Sequence, residues 1–104
     1  MNISNRGFGR ISIPMITPYK ENEEIDLQAY AQIIDYVITH DMCDSIISTG
    51  TTGEASLVTF DERVQLYKTA VKAAAGRCKV ICGTGCASTK ETVALTKEAV
   101  AAGA

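Results

Sequence analysis

Residues 50 to 54 read Gly-Thr-Thr-Gly-Glu, directly after the run Ser45-Ile46-Ile47-Ser48-Thr49. Two adjacent hydroxyls between glycines neither pack as valines nor turn as asparagines would. Gly50 and Gly53 allow close backbone approach, and the Thr51 and Thr52 hydroxyls with their flanking amides form a small anion pocket suited to a carboxylate or a phosphate. Successive side chains leave a regular strand on opposite faces, so both hydroxyls can serve one site only where the strand gives way to a loop. A threonine is too weak an acid to act alone as a general base. As donor and acceptor at once, it can pass a proton between stronger partners. The plain alternative is a hydroxyl–backbone turn with Glu54 as a solvated carboxylate, and the pentapeptide by itself leaves both open.

Two other stretches could carry chemistry. Cys78, Cys82 and Cys86 recur at every fourth position. On a strand rising ~3.3 Å per residue, Cys78 and Cys82 stand ~13 Å apart, too far to share one ion, and His40 and Cys43 add no ligand spacing. No metal site and no cofactor is expected, and the cysteines read as small buried hydrophobes. Gly83-Thr84-Gly85-Cys86-Ala87-Ser88 has the look of a phosphate-binding turn. The dinucleotide fingerprint needs a third small residue, usually Gly, and an acidic residue about 20 positions on, where this sequence reads Gly103-Ala104.

These residues need elements to hold them. Residues 11–17 are apolar and β-branched up to Pro18 and predict a first strand. Asp26 caps a helix with an apolar face of Leu27, Tyr30, Ile33, Ile34, Val37 and Ile38; His40 near its end is a solvated or dipole-stabilising residue. A second strand spans 45–50. Thr59-Phe60-Asp61-Glu62 is a capping box opening a helix that turns Val64, Tyr67, Ala70, Val71 and Ala74 inward and stops at a left-handed Gly76. Residues 79–84 form a third strand, and Ser88-Thr89-Lys90-Glu91 is a second capping box for a helix running towards Gly103.

The pattern is βαβαβα, with strand starts near Arg10, Ser45 and Lys79, which are 35 and 34 residues apart. That is close to the ~31 residues per unit of a (β/α)8 barrel, whose active site lies where strands lead into helices. Thr51 and Thr52 occupy that end of the second strand. The expected fold is therefore the three N-terminal βα units of such a TIM barrel, one partial domain over 1–104 with the C-terminal units absent. Three units leave open the sheet face of whichever of Ile13, Met15, Ile47 and Ile81 alternate inward.

Composition excludes several partners. The chain has 104 residues, 46% hydrophobic and 21% charged, with a formal net charge of −2 and no Lys/Arg run. Nothing in it is suited to a nucleic acid or an acidic membrane. No stretch approaches the ~20 apolar residues of a membrane span, and Met1 to Gly7 lack a signal-peptide core. A cytoplasmic location with reduced thiols is expected.

The order ISIPMITPY, then GTTGEASLVTFDERVQL, then KVICGTGCASTKETVALTKEAVAAGA resembles the N-terminal third of the dihydrodipicolinate synthase / N-acetylneuraminate lyase family of pyruvate-dependent class I aldolases. The resemblance runs from Gly7 onward. It implies that Thr52 binds the carboxylate of a pyruvate imine and that Thr51 joins a proton relay, with Gly50 and Gly53 shaping the pocket. It implies an imine-forming lysine and two relay tyrosines on later strands. Lys79 and Lys90 do not match that lysine, and Tyr30, Tyr36 and Tyr67 read as helix residues, while Tyr19 is a candidate wall of the site. The implied partners are pyruvate and an aldehyde, within a homo-oligomer, a tetramer or a dimer.

The implied reaction is that of a dihydrodipicolinate (4-hydroxy-tetrahydrodipicolinate) synthase-like enzyme in lysine biosynthesis. The alternatives are an N-acetylneuraminate lyase or another 2-oxo acid aldolase, and a non-catalytic anion-binding fragment. The GTTGE stretch favours the synthase branch, whereas Gly85-Cys86-Ala87-Ser88-Thr89 is similar to the lyase branch's loop. Glu91 matches the family's lysine-inhibition site. Phe60, Arg63 and Ala87 depart from it, which leaves inhibition by lysine open.

Overall fold

The computed structural model describes residues 7–104; Met1 to Arg6, part of the stretch read for a leader, lie outside the described residues. Three parallel strands form one sheet in the order β1 (Ser12–Pro14), β2 (Ser45–Ser48), β3 (Lys79–Cys82). Ile13 lies beside Ile46, and Ile46 beside Val80. Helices α1 (Leu27–Thr39), α2 (Phe60–Ala74) and α3 (Thr89–Ala102) come after the strands in turn, and α2 packs between the other two. The βαβαβα order expected from the sequence is what forms. No helix among the described residues is long and apolar enough to cross a membrane.

All three strands are shorter than their apolar runs. β2 leaves the extended region at Thr49, whose φ is 53°. The ladder beyond β1 continues only through the Met15 amide, which donates to the Ile47 carbonyl at 2.9 Å. Past each strand end the chain runs as loop backbone held by side chains.

The helix starts agree with their caps. Asp26 accepts from the Ala29 amide at 3.0 Å, and Thr59 and Glu62 form both arms of a capping box, at 3.2 and 2.8 Å. The second expected box is half formed: Ser88 Oγ accepts from the Glu91 amide at 3.2 Å, with no return bond from the Glu91 carboxylate among the described residues. Helix α2 also ends one residue earlier than expected. Ala75 is the first left-handed residue (φ 50°), and Gly76 is the second (φ 75°).

Two clusters make the core. Met15, Tyr30, Ile34, Ile46, Leu66 and Ala70 anchor the larger one between sheet and helices, and Tyr67, Leu95 and Ala99 form the smaller one between α2 and α3. The buried stripe of α2 is Arg63, Leu66, Tyr67, Ala70 and Ala74, so the expected inward residues Val64 and Val71 are only half-buried. The stripe is rotated because Arg63 lays its apolar stem into the interior while its guanidinium finds acceptors. Ile13 and Met15 pack on the helix side, whereas Ile47 and Ile81 belong to neither cluster. Of the four residues considered for the open face, the sheet therefore leaves Ile47 and Ile81 to it.

Candidate active site at the end of the second strand

The site is built where β2 stops. A β-branched residue in the left-handed region is a conformational outlier costing on the order of 1–3 kcal/mol, and it persists only where its surroundings fix it. Thr49 is 2% exposed, and its Oγ1 donates to the Gly83 carbonyl at 2.8 Å. The Tyr67 hydroxyl donates to the same carbonyl at 2.6 Å, and the Gly83 amide donates to the Ser48 carbonyl at 2.7 Å. A Cβ on Gly83 would overlap the Thr49 carbonyl oxygen and lie 2.9 Å from its carbon. Glycine is required there by contact. Beneath, the buried Tyr30 hydroxyl donates to Ser48 Oγ at 2.8 Å, and burial pushes its pKa up to about 12.

Residues 50–54 then form two successive turns. The Gly53 amide donates to the Gly50 carbonyl at 3.1 Å and the Glu54 amide to the Thr51 carbonyl at 3.0 Å, with Glu54 left-handed at φ 57°. Gly53 is buried against β1: a Cβ would stand 2.9 Å from the Met15 carbonyl oxygen, and the Thr17 hydroxyl donates to the Gly53 carbonyl at 2.6 Å. Thr51 and Thr52 are both exposed. The turn therefore takes up the Gly53 and Glu54 amides internally. Among the described residues the Thr51 and Thr52 amides make no backbone bond, and they stand beside the two hydroxyls.

Tyr19 stands close enough to the turn to feel the charge of Glu54. Burial, then the Glu54 and Glu62 carboxylates, push its pKa above the usual tyrosine value. On the other side, Thr51, Phe60, Arg63, Gly85 and Glu91 line a cleft of about 480 Å³. Arg63, 5% exposed, donates to the Gly85 carbonyl at 2.9 Å and to the Ala55 carbonyl at 2.8 Å, tying the loops after β2 and β3 together. Sequence reasoning noted Arg63 only as a departure from a family pattern. Its position four residues after the Thr59 cap, on the stripe of Tyr67, Ala70 and Ala74, was the available signal.

The cysteines stand apart from the turn. Cys78 packs on the larger cluster and Cys82 on the smaller, where burial pushes the Cys82 thiol up to about 12. Cys86 is exposed at the cleft, its Sγ 3.2 Å from Thr92 Oγ1. Among the described residues no group of three His, Cys, Asp or Glu is placed to hold a metal ion. His40 is exposed at the end of α1, its ring stacked on Tyr36 with centroids 4.0 Å apart.

Three parallel strands alternating with three helices make this an α/β fold. The model of the dihydrodipicolinate synthetase family matches residues 7–104, and the chain belongs to that family. It is 47% identical over 85 residues to the 4-hydroxy-tetrahydrodipicolinate synthase of Oenococcus oeni, covering 82% of this chain and 29% of that protein. The dihydrodipicolinate synthase of Aquifex aeolicus superposes with a TM-score of 0.85 at 42% identity, over 90% of this chain and 31% of that one. The enzyme of Acinetobacter baumannii, solved with pyruvate, gives 0.82 at 32% identity, over 90% and 32%. The N-acetylneuraminate lyase of Mycoplasma synoviae gives 0.83 at 26% identity, over 89% and 32%. The chain thus spans about a third of the length of these relatives.

Proposed function

We propose that this chain contributes the first three βα units of a (β/α)8 barrel that condenses or cleaves at pyruvate through a lysine imine, and that it acts as a dihydrodipicolinate synthase-like enzyme. The observation that carries the reading is the pair of exposed Thr51 and Thr52 hydroxyls, with their unbonded amides, at the C-terminal end of β2. Thr52 holds the pyruvate carboxylate, since a hydroxyl and an amide together form a donor pair for one carboxylate. Thr51 passes a proton during imine chemistry, Gly50 and Gly53 close the turn, and Tyr19 walls it. The amine that condenses with the ketone, releasing water, comes from a lysine on a later barrel strand.

The synthase reading is favoured over the lyase by the 47% and 42% identities to synthases against 26% to a lyase. The cytoplasmic location and the dimer or tetramer expected from the resemblance belong to the same reading. So does the inactivity of the 104-residue chain taken alone, because the resemblance places the imine lysine on a later strand. The test is borohydride reduction of the full-length enzyme with pyruvate. A single lysine should gain the mass of the reduced adduct; an unchanged mass overturns the mechanism.

A further inference from the structure

Thr51 and Thr52 donate no side-chain bond of their own within the described residues, so their directions are set by the backbone of the turn. One end of that backbone is fixed by β2 and by the Thr49–Gly83 contact. At the other end, among the described residues, the Gly53 carbonyl is reached by one side chain, Thr17, which comes from the end of β1, 36 positions away, and is 5% exposed, while Arg63 holds the Ala55 carbonyl just beyond the turn.

A peptide unit is rigid, with its carbonyl and its amide proton on opposite edges of one plane. The Gly53 carbonyl and the Glu54 amide share such a plane. Thr17 Oγ1 donates to the first at 2.6 Å, and the second donates to the Thr51 carbonyl at 3.0 Å. The Thr51 carbonyl in turn shares a plane with the Thr52 amide. Two rigid plates joined by one hydrogen bond thus run from the Thr17 hydroxyl to the donor beside the Thr52 hydroxyl. The contact of Gly53 with the Met15 carbonyl leaves no room for a side chain to perform this bracing from the turn itself.

We infer that Thr17 is a positioning residue for pyruvate: its hydroxyl orients the Thr52 amide and hydroxyl toward the carboxylate through these two peptide planes. This rests on the assignment of the turn as the pyruvate site. Removing the hydroxyl frees the Gly53–Glu54 peptide to rotate and misdirects the Thr52 donors. It leaves the aldehyde's contacts and the imine lysine untouched.

The test compares full-length enzymes carrying Thr17→Val, Thr17→Cys and Thr17→Ser. Thr17→Val should raise the pyruvate KM by about ten-fold, the size expected for one hydrogen bond, with the aldehyde KM unchanged. Thr17→Cys, a weaker donor, should give a smaller rise, and Thr17→Ser should restore the pyruvate KM to within about two-fold. If Thr17→Val does not fold, the Cys and Ser pair decides. Borohydride trapping of the unaltered enzyme tests the pyruvate site separately. Given trapping there, a pyruvate KM that is equal in all folded variants, or that rises together with the aldehyde KM, overturns the positioning role.

Discussion

The two ends of the central strand satisfy their polar groups in opposite ways. At the N-terminal end, the Asp44 carboxylate accepts from the Arg10 and Ile11 amides at 2.8 and 2.9 Å, and the Asp44 and Ser45 amides donate back to the Ile11 carbonyl at 2.8 and 3.2 Å. Donors and acceptors there satisfy one another. At the C-terminal end, a left-handed threonine, a glycine pressed against a carbonyl, and the hydroxyls of Thr17, Thr49 and Tyr67 are all engaged with backbone carbonyls. The product is a turn whose next two hydroxyls have no internal partner among the described residues. The one β-branched left-handed residue among the described residues thus lies at the end that leaves donors free. The other end works as a clamp.

The largest expected effect comes from breaking the C-terminal end at its free hydroxyl. Thr51→Val in the full-length enzyme should lower kcat by roughly 10²–10⁴-fold, the range of a lost proton-transfer step. Because Thr51 is exposed and braces nothing, the thermal midpoint should stay at the unaltered value. A drop in midpoint with kcat retained would place Thr51 among the bracing residues and remove the distinction between the two ends.

Next in size is Gly83→Ala, which attacks the brace and not the donors. The added methyl overlaps the Thr49 carbonyl, and backbone cannot move aside as a flexible side chain would. Overpacking of this kind costs roughly 1–3 kcal/mol, and here it also displaces the carbonyl that Thr49 and Tyr67 share. A lowered urea midpoint together with lowered activity is expected. Full stability would show that the β2–β3 contact yields without strain.

The difference between the ends also explains what the sequence makes visible. The Gly50–Gly53 turn is legible because both glycines and both hydroxyls are contiguous, and α1 is legible because Asp26 and its apolar stripe are local signals. Thr49 is illegible. A β-branched residue within an apolar run predicts extended backbone, and the bond that holds it left-handed goes to Gly83, 34 positions on. Arg63 and Thr17 escape for the same reason, since their acceptors at Gly85 and Gly53, 22 and 36 positions away, are brought near only by the sheet. The half-formed box at Ser88 shows the converse: a local pattern can be present without both of its bonds.

The smallest effect should come from the clamp, through Asp44→Asn. The substitution keeps an oxygen acceptor for the Arg10 and Ile11 amides and removes only the charge, so activity near neutral pH should be unaltered. The bonds from these two amides, Ile11's first, hold the Asp44 carboxyl below its usual pKa of 3.8. A carboxyl whose folded pKa is depressed stabilises the fold above its unfolded pKa, and that contribution is lost as pH falls through the lower, folded value. The unaltered protein should therefore be modestly more stable than Asp44→Asn above about pH 4, and the gap should close on further acidification. Thermal melts across the acid range on both proteins read this directly. A gap that persists unchanged at the acid end would mean that the clamp acts through shape alone, and a gap near zero at every pH would mean that the charge contributes nothing to it.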